Sequence, residues 1–173
     1  YLILKEELKA HKIEIGRDKF LNVLRANDLL VKRRKKRIKT TMSRHGLRKY
    51  PNLAKDLSID RAEQLWVSDI TYLKVQGFHC YLILITDAYS RKVVGYNFGT
   101  KMDTAFCVKA LQQAIVNRSY TSRRLMHHSD RGVQYCSKGY VQILEKHQVQ
   151  ISMTERGDPL ENPLAERMNG IFK

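Results

Sequence analysis

A chain of 173 residues suffices for one ordinary domain, or for one domain with a small satellite, and its 43% apolar share supports a packed core rather than disorder. No run of about eighteen apolar residues exists to form a transmembrane helix. Three widely separated cysteines, Cys80, Cys107 and Cys136, argue against a disulfide framework or a paired-cysteine zinc site and suit a reducing cytoplasm.

The formal net charge of +15 is unevenly spread, with 16 Lys/Arg against 5 Asp/Glu in residues 1–50 and 16 against 12 in the remainder. An electropositive N-terminal part joined to a near-balanced one points to a polyanion, most often nucleic acid; the plain alternative is a solvated basic surface. The chain opens without an initiator Met and stops at Lys173 inside a helical pattern, as a fragment of a longer protein does.

Leu4 and Leu8 sit at helical spacing between Leu2 and Ala10, and Ile13-Glu14-Ile15-Gly16 interrupts the pattern. A second helix is expected near Asp18, with Phe20, Leu21 and Leu24 on one face and Asn27-Asp28 at its end. Residues 1–31 therefore resemble a helix-turn-helix, whose second helix could enter a major groove, although many helical pairs bind nothing. The run Lys32, Arg33, Arg34, Lys35, Lys36, Arg37, Ile38, Lys39 has seven basic residues in eight. Such a block repels itself, cannot pack, and suits a phosphate backbone bound in a salt-dependent, poorly sequence-selective way. Thr40 to Asp60, with Gly46 and Tyr50-Pro51-Asn52, reads as linker, so residues 32–60 form a basic arm and linker ahead of a core at 61–173.

Within that core, strands are expected at Trp66–Val75, His79–Thr86 and Lys92–Phe98, joined by turns at Gly77 and at Asp87-Ala88-Tyr89-Ser90. A helix follows over Thr104–Asn117, capped by Asp103 or Thr104, then a short strand at Leu125–His128. Tyr140–His147 is a helix with Ser137 as candidate cap, Val149–Met153 a fifth strand, and Pro163–Lys173 a final helix opening on proline. The order β-β-β-α-β-α-β-α predicts an α/β fold, a mixed five-stranded sheet flanked by helices.

Three acids stand out. Asp69 interrupts the strand pattern of Leu65-Trp66-Val67-Ser68-Asp69-Ile70-Thr71-Tyr72, where an unpaired buried carboxylate is costly and calls for a cationic side chain or a metal ion. Asp130 follows His127-His128-Ser129 at a strand end, where open α/β sheets place their ligand sites. Glu166 lies on the last helix, off the Leu164–Met168–Phe172 stripe. Each alone is ordinarily a capping or surface carboxylate. Sixty residues separate Asp69 from Asp130, and thirty-five separate Asp130 from Glu166.

With that spacing, four stretches resemble the catalytic frame of bacterial insertion-sequence transposases of the insertion-sequence-three family, within the retroviral-integrase superfamily. They are Trp66 to Tyr72, Asp87 to Gly95, His127 to Tyr135, and Asn162-Pro163-Leu164-Ala165-Glu166. The resemblance covers nearly the whole chain, including the helix-turn-helix and basic linker. It implies a ribonuclease-H-like core in which Asp69, Asp130 and Glu166 ligate two Mg²⁺ or Mn²⁺ ions. It also implies a bacterial cytoplasmic enzyme that cleaves and joins double-stranded DNA at element ends and targets, acting as a homo-oligomer.

The arm from Lys32 to Lys39 and Arg131 are candidate DNA contacts. Asp87, His128 and Asn162 are candidate supports around the acids, with a turn role favoured for Asp87. His127 and His128 are candidates to contact DNA or shape the site; Asp158 and Asn162, to order the loop before the last helix. Glu161, an additional acid, precedes Pro163 and falls outside that helix, which leaves Glu166 as the third ligand. Two other readings stay open: a ribonuclease-H-like nuclease acting on RNA–DNA hybrids, and a catalytically silent DNA-binding protein derived from a transposase.

Overall fold

The computed structural model describes residues 2–30, 45–155 and 163–171. The chain divides into two units, Tyr1–Ile38 and Lys39–Lys173.

In the first unit, α1 (Leu2–Ala10) and α2 (Arg17–Ala26) are separated by the predicted break. Lys12 takes a positive φ of 58° just past α1, and the Ile13 amide reaches back to the Leu8 carbonyl at 2.9 Å, so the last turn closes on itself. The same device ends α2: Asp28 has φ 53°, and the Leu29 amide donates to the Leu24 carbonyl. Asp tolerates this left-handed conformation better than most residues, which is why Asn27-Asp28 was a readable stop. Phe20, Leu21 and Leu24 form the half-buried face of α2. The basic run Lys32–Lys39 lies outside the described residues.

The second unit is built on β1 (Leu65–Val75), β2 (Phe78–Asp87), β3 (Val93–Gly99), β4 (Leu125–Ser129) and β5 (Val149–Met153), in the sheet order β3-β2-β1-β4-β5. Gln76 and Gly77, with φ 49° and 88°, make a two-residue turn that fixes the β1–β2 register at Val75 opposite Phe78. Both positive φ values match the twist of an antiparallel pair. β1, β2 and β3 form the predicted meander, whereas β4 lies parallel to β1 and β5 parallel to β4. The parallel pairs need crossovers, supplied by α3 (Thr104–Val116) and by α4 (Val133–Cys136) with α5 (Lys138–Lys146). The Asp103 side chain caps α3 by accepting from the Phe106 amide at 2.7 Å. α4 was not anticipated from sequence; four residues are too few to show a helical period.

Alternation along the strands sorts the core onto two faces. Trp66, Ile83, Ile85 and Val94 join α3 and α5 through Leu111, Tyr140 and Leu144. The opposite face carries a smaller cluster of Leu65, Val67, Ala88, Met126 and Ala165, the last from α6 (Pro163–Ile171). Gly95 lets α3 approach β3: a methyl group there would collide with the Ala110 carbonyl and come within 2.9 Å of the Ala114 methyl.

Part of the expected linker belongs to this unit. The Met153 amide donates to the Pro51 carbonyl, the Leu53 amide donates to Ser152 Oγ, and Tyr50, Ala54 and Leu57 pack against the two clusters. Residues 51–53 thus lie against the outer edge of β5, which would otherwise present unpaired backbone groups. Gly46, Pro51 and sparse apolar residues gave no period to read, so an irregular but packed segment looked like a tether.

Candidate active site

β1 and β4 run side by side in parallel register, Trp66 opposite His127 and Val67 opposite His128. Two residues beyond that last pair stand Asp69, within β1, and Asp130, the first residue past β4, so the parallel register carries both acids towards the same end of neighbouring strands. Neighbouring strands lie about 4.8 Å apart, within reach of two carboxylates sharing a cation.

Each carboxylate is aimed by its own backbone. Asp69 Oδ1 accepts from the Ile70 amide at 2.9 Å, and Asp130 Oδ1 from the Gly132 amide at 2.8 Å. Asp69 Oδ2 accepts from Asn169 Nδ2 on α6 at 2.7 Å, a bond between residues one hundred apart in sequence.

The pair stands over a buried floor. Tyr135 is 1% exposed, and its hydroxyl accepts from Ser68 Oγ at 3.1 Å. Burial pushes the Tyr135 phenol well above its usual range, and the negative charges of Asp130 and Asp69 push it the same way. Asp69 and Asp130 thus act on one hydroxyl. Burial first, then Asp103 and Asp130, push the Cys107 thiol up to about 12; burial and Asp130 also raise Cys136, opposed by Lys49 and Arg131. Both thiols stay protonated at neutral pH.

The histidines serve the sheet. Burial, then the neighbouring His128, lower the His127 pKa to about 3, and its Nε2 pairs with the Tyr140 hydroxyl at 3.0 Å. His128 Nδ1 pairs with Ser152 Oγ at 2.8 Å, tying β4 to β5. Asp87 is 2% exposed: its Oδ1 accepts from the Ser90 amide and hydroxyl, and its Oδ2 from the Glu63 amide at 2.6 Å. That is the turn role favoured from sequence, at the Trp66 level of β1 and three residues short of Asp69. Glu63, which the sequence did not single out, takes the Ser119 and Tyr120 amides at 2.7 and 2.8 Å with Arg118 alongside.

Glu166 occupies α6, which lies over β1 and β2; its side chain, like Asn162, Asp158 and Glu161, lies outside the described residues. The buried seam of α6 is Ala165 and Asn169, with Leu164 and Met168 half-buried beside it. The seam is thus rotated one position from the predicted Leu164–Met168–Phe172 stripe. Asn169 is the functional candidate the sequence reading missed, and its only signal was a polar residue four positions after a small apolar one. Arg131, beside Asp130, is half-buried, and its carbonyl accepts from His45 Nε2 at 2.9 Å.

Among the described residues no group of three His, Cys, Asp or Glu side chains gathers for a metal ion; the described share of the site is the Asp69–Asp130 pair. Its donors are all hard oxygens, which fit Mg²⁺ or Mn²⁺ rather than a thiophilic metal.

The integrase core domain model matches residues 60–159, more than half of the chain and inclusive of both acids. The chain belongs to the integrase core family. Relatives of this integrase core include the transposase for insertion sequence element IS629 of Shigella sonnei, 36% identical over 81% of the chain and 47% of the relative. An IS600 insertion-element 31 kDa protein from the same organism is 34% identical over 98% of the chain and 62% of the relative. The chain therefore spans about half to three-fifths of these relatives' lengths. Among solved structures, the simian T-cell lymphotropic virus intasome in complex with a PP2A regulatory subunit superposes with a TM-score of 0.56 at 22% identity, covering 63% of this chain and 38% of that one. The HTLV-2 integrase catalytic core domain in complex with magnesium gives 0.51 at 22% identity, covering 63% and 66%. These likenesses establish the ribonuclease-H-like fold predicted from sequence.

Proposed function

We propose that this protein is a transposase that cleaves and joins DNA with the help of divalent metal ions held by Asp69, Asp130 and Glu166. The observation that carries the reading is the parallel β1–β4 register, which brings Asp69 and Asp130 towards the same end of neighbouring strands, beneath the helix that bears Glu166. Three carboxylates converging at one point repel one another, so the arrangement is stable only around hard cations. Ions held by Asp69, Asp130 and Glu166 would activate the attacking oxygen and stabilise the leaving oxygen of an in-line displacement at phosphorus. The amides of Ile70 and Gly132 hold the carboxylates in orientation, and the buried Tyr135 lies close enough to feel the charge of both.

No protein nucleophile is needed. Water attacks one phosphodiester at an element end and the P–O3′ bond breaks, leaving a free 3′-hydroxyl. That hydroxyl then attacks a second phosphodiester, forming a new P–O bond and expelling a new 3′-hydroxyl. Residues 1–31 recognise element DNA, the run Lys32–Lys39 grips its backbone, and Arg131 contacts phosphate beside the acids; the +15 charge supports all three. The active assembly is a homo-oligomer that pairs two DNA ends in the bacterial cytoplasm. In support, solved structures of similar fold include an intasome and dimeric and trimeric core domains.

The test is Asp69→Asn, Asp130→Asn and Glu166→Gln in the intact protein. Each abolishes metal-dependent cleavage and joining of element-end DNA while DNA binding persists; full activity in any variant refutes that residue's role. Preference for an RNA–DNA hybrid over duplex DNA would make the protein a nuclease instead. Absence of Mg²⁺ or Mn²⁺ binding by calorimetry would make it a silent DNA-binding protein.

A further inference from the structure

Asn169 is a poor residue for its position unless it has a task beyond packing. It sits inside α6, where Asn is a weaker helix former than Ala, Leu or Met. It is only 4% exposed, facing the sheet with Ala165, four residues earlier, which packs among apolar side chains. Its Nδ2 donates to Asp69 Oδ2 at 2.7 Å, while its Oδ1 is buried with no hydrogen-bond partner. Thr71, two residues along β1 and so on the Asp69 face, also has a buried hydroxyl without a partner. A seam built for stability alone would use leucine and leave no such atoms unsatisfied.

We infer that Asn169 is a positioning residue: it fixes the Asp69 carboxylate and locks the Glu166 helix to β1, so that the metal-binding acids are pre-aligned. The inference rests on the function proposed above. Its geometry is specific. The Ile70 amide holds one oxygen of Asp69 and the Asn169 amide the other, so the carboxylate cannot rotate about its terminal bond without breaking one of them. Residues three apart are neighbours on a helix surface, so Asn169 also ties down the turn that starts at Glu166. Outer partners of metal ligands typically change metal affinity or activity by 10–100-fold when removed. Mg²⁺ demands near-ideal octahedral geometry, so misaligned acids cost it most.

Asn169→Leu and Asn169→Ala separate positioning from packing, since both are better helix formers and neither can donate to Asp69. Mn²⁺ binding is followed by electron paramagnetic resonance on the intact protein, strand transfer is assayed in Mg²⁺ and in Mn²⁺, and melting temperature is measured on the same samples. Melting temperature should hold or rise in Asn169→Leu while Mn²⁺ affinity falls roughly tenfold or more, with Mg²⁺-supported activity falling further than Mn²⁺-supported activity. Wild-type Mn²⁺ affinity and an unchanged Mg²⁺-to-Mn²⁺ activity ratio in both variants overturn the inference. Asp69→Asn is run alongside: if it too binds Mn²⁺ normally, the metal-site reading itself fails, whereas lost binding in Asp69→Asn alone sinks only the role of Asn169.

Discussion

Replacing Gly95 with alanine puts a methyl group where α3 already is. The added carbon would overlap the Ala110 carbonyl oxygen and sit 2.9 Å from the Ala114 methyl and 3.0 Å from its amide nitrogen. None of these belongs to a flexible side chain that can swing away; relief requires moving α3 off β3. Overpacking of this kind costs about 1–3 kcal/mol, and a rigid backbone neighbour puts Gly95→Ala in the upper half, about 2–3 kcal/mol. For a chain of this size that lowers the melting temperature by about 4–12 °C. Trp66, the sole tryptophan and fully buried in β1, reports on the larger unit alone, so its fluorescence is the assay. Gly139→Ala is the control: it lies in α5 with nothing within 4 Å of the added methyl, so it should gain about 0.5 kcal/mol from helix propensity. Equal melting temperatures in the two variants would refute the close approach of α3 to the sheet.

Other outcomes follow from named contacts. Asp87→Asn loses charge-assisted bonds from Glu63 and Ser90 and should cost about 1.5–3 kcal/mol in urea unfolding, while Mn²⁺ affinity stays at the wild-type level; lost Mn²⁺ binding would give Asp87 a metal role. His127 is neutral when folded down to about pH 3, whereas the unfolded imidazole protonates near 6.5. Its contribution is therefore whole above 6.5 and drains away as pH falls towards 3, by up to about 5 kcal/mol at 1.36 kcal/mol per unit. Wild type should lose more stability than His127→Gln between pH 7 and 4.5, and parallel losses would contradict the buried neutral ring. Replacing the seven basic residues of the Lys32–Lys39 run with glutamine should flatten the logarithmic salt dependence of DNA binding by up to about six, measured by fluorescence anisotropy; an unchanged slope removes the arm from the interface.

Local pattern alone determined the longer elements, because period and turn chemistry are carried by neighbouring residues: β1 and β2 by their β-branched runs around Gly77, α3 by its Asp103 cap, and α5 by Ser137. Asp69 was conspicuous for the same reason, as an acid placed where a strand disfavours one. Irregular packed chain left no such trace, so residues 45–60 looked like a tether until their bonds to β5 were seen. Nor could spacing show that Asp69 and Asp130 lie towards the same end of neighbouring strands, since that depends on the parallel β1–β4 register, a pairing of strands about sixty residues apart. The face α6 turns to the sheet was likewise a tertiary choice. Leucine and methionine marked one stripe, but the sheet took Ala165 and Asn169, because a small side chain allows close packing and an amide can reach the carboxylate of Asp69.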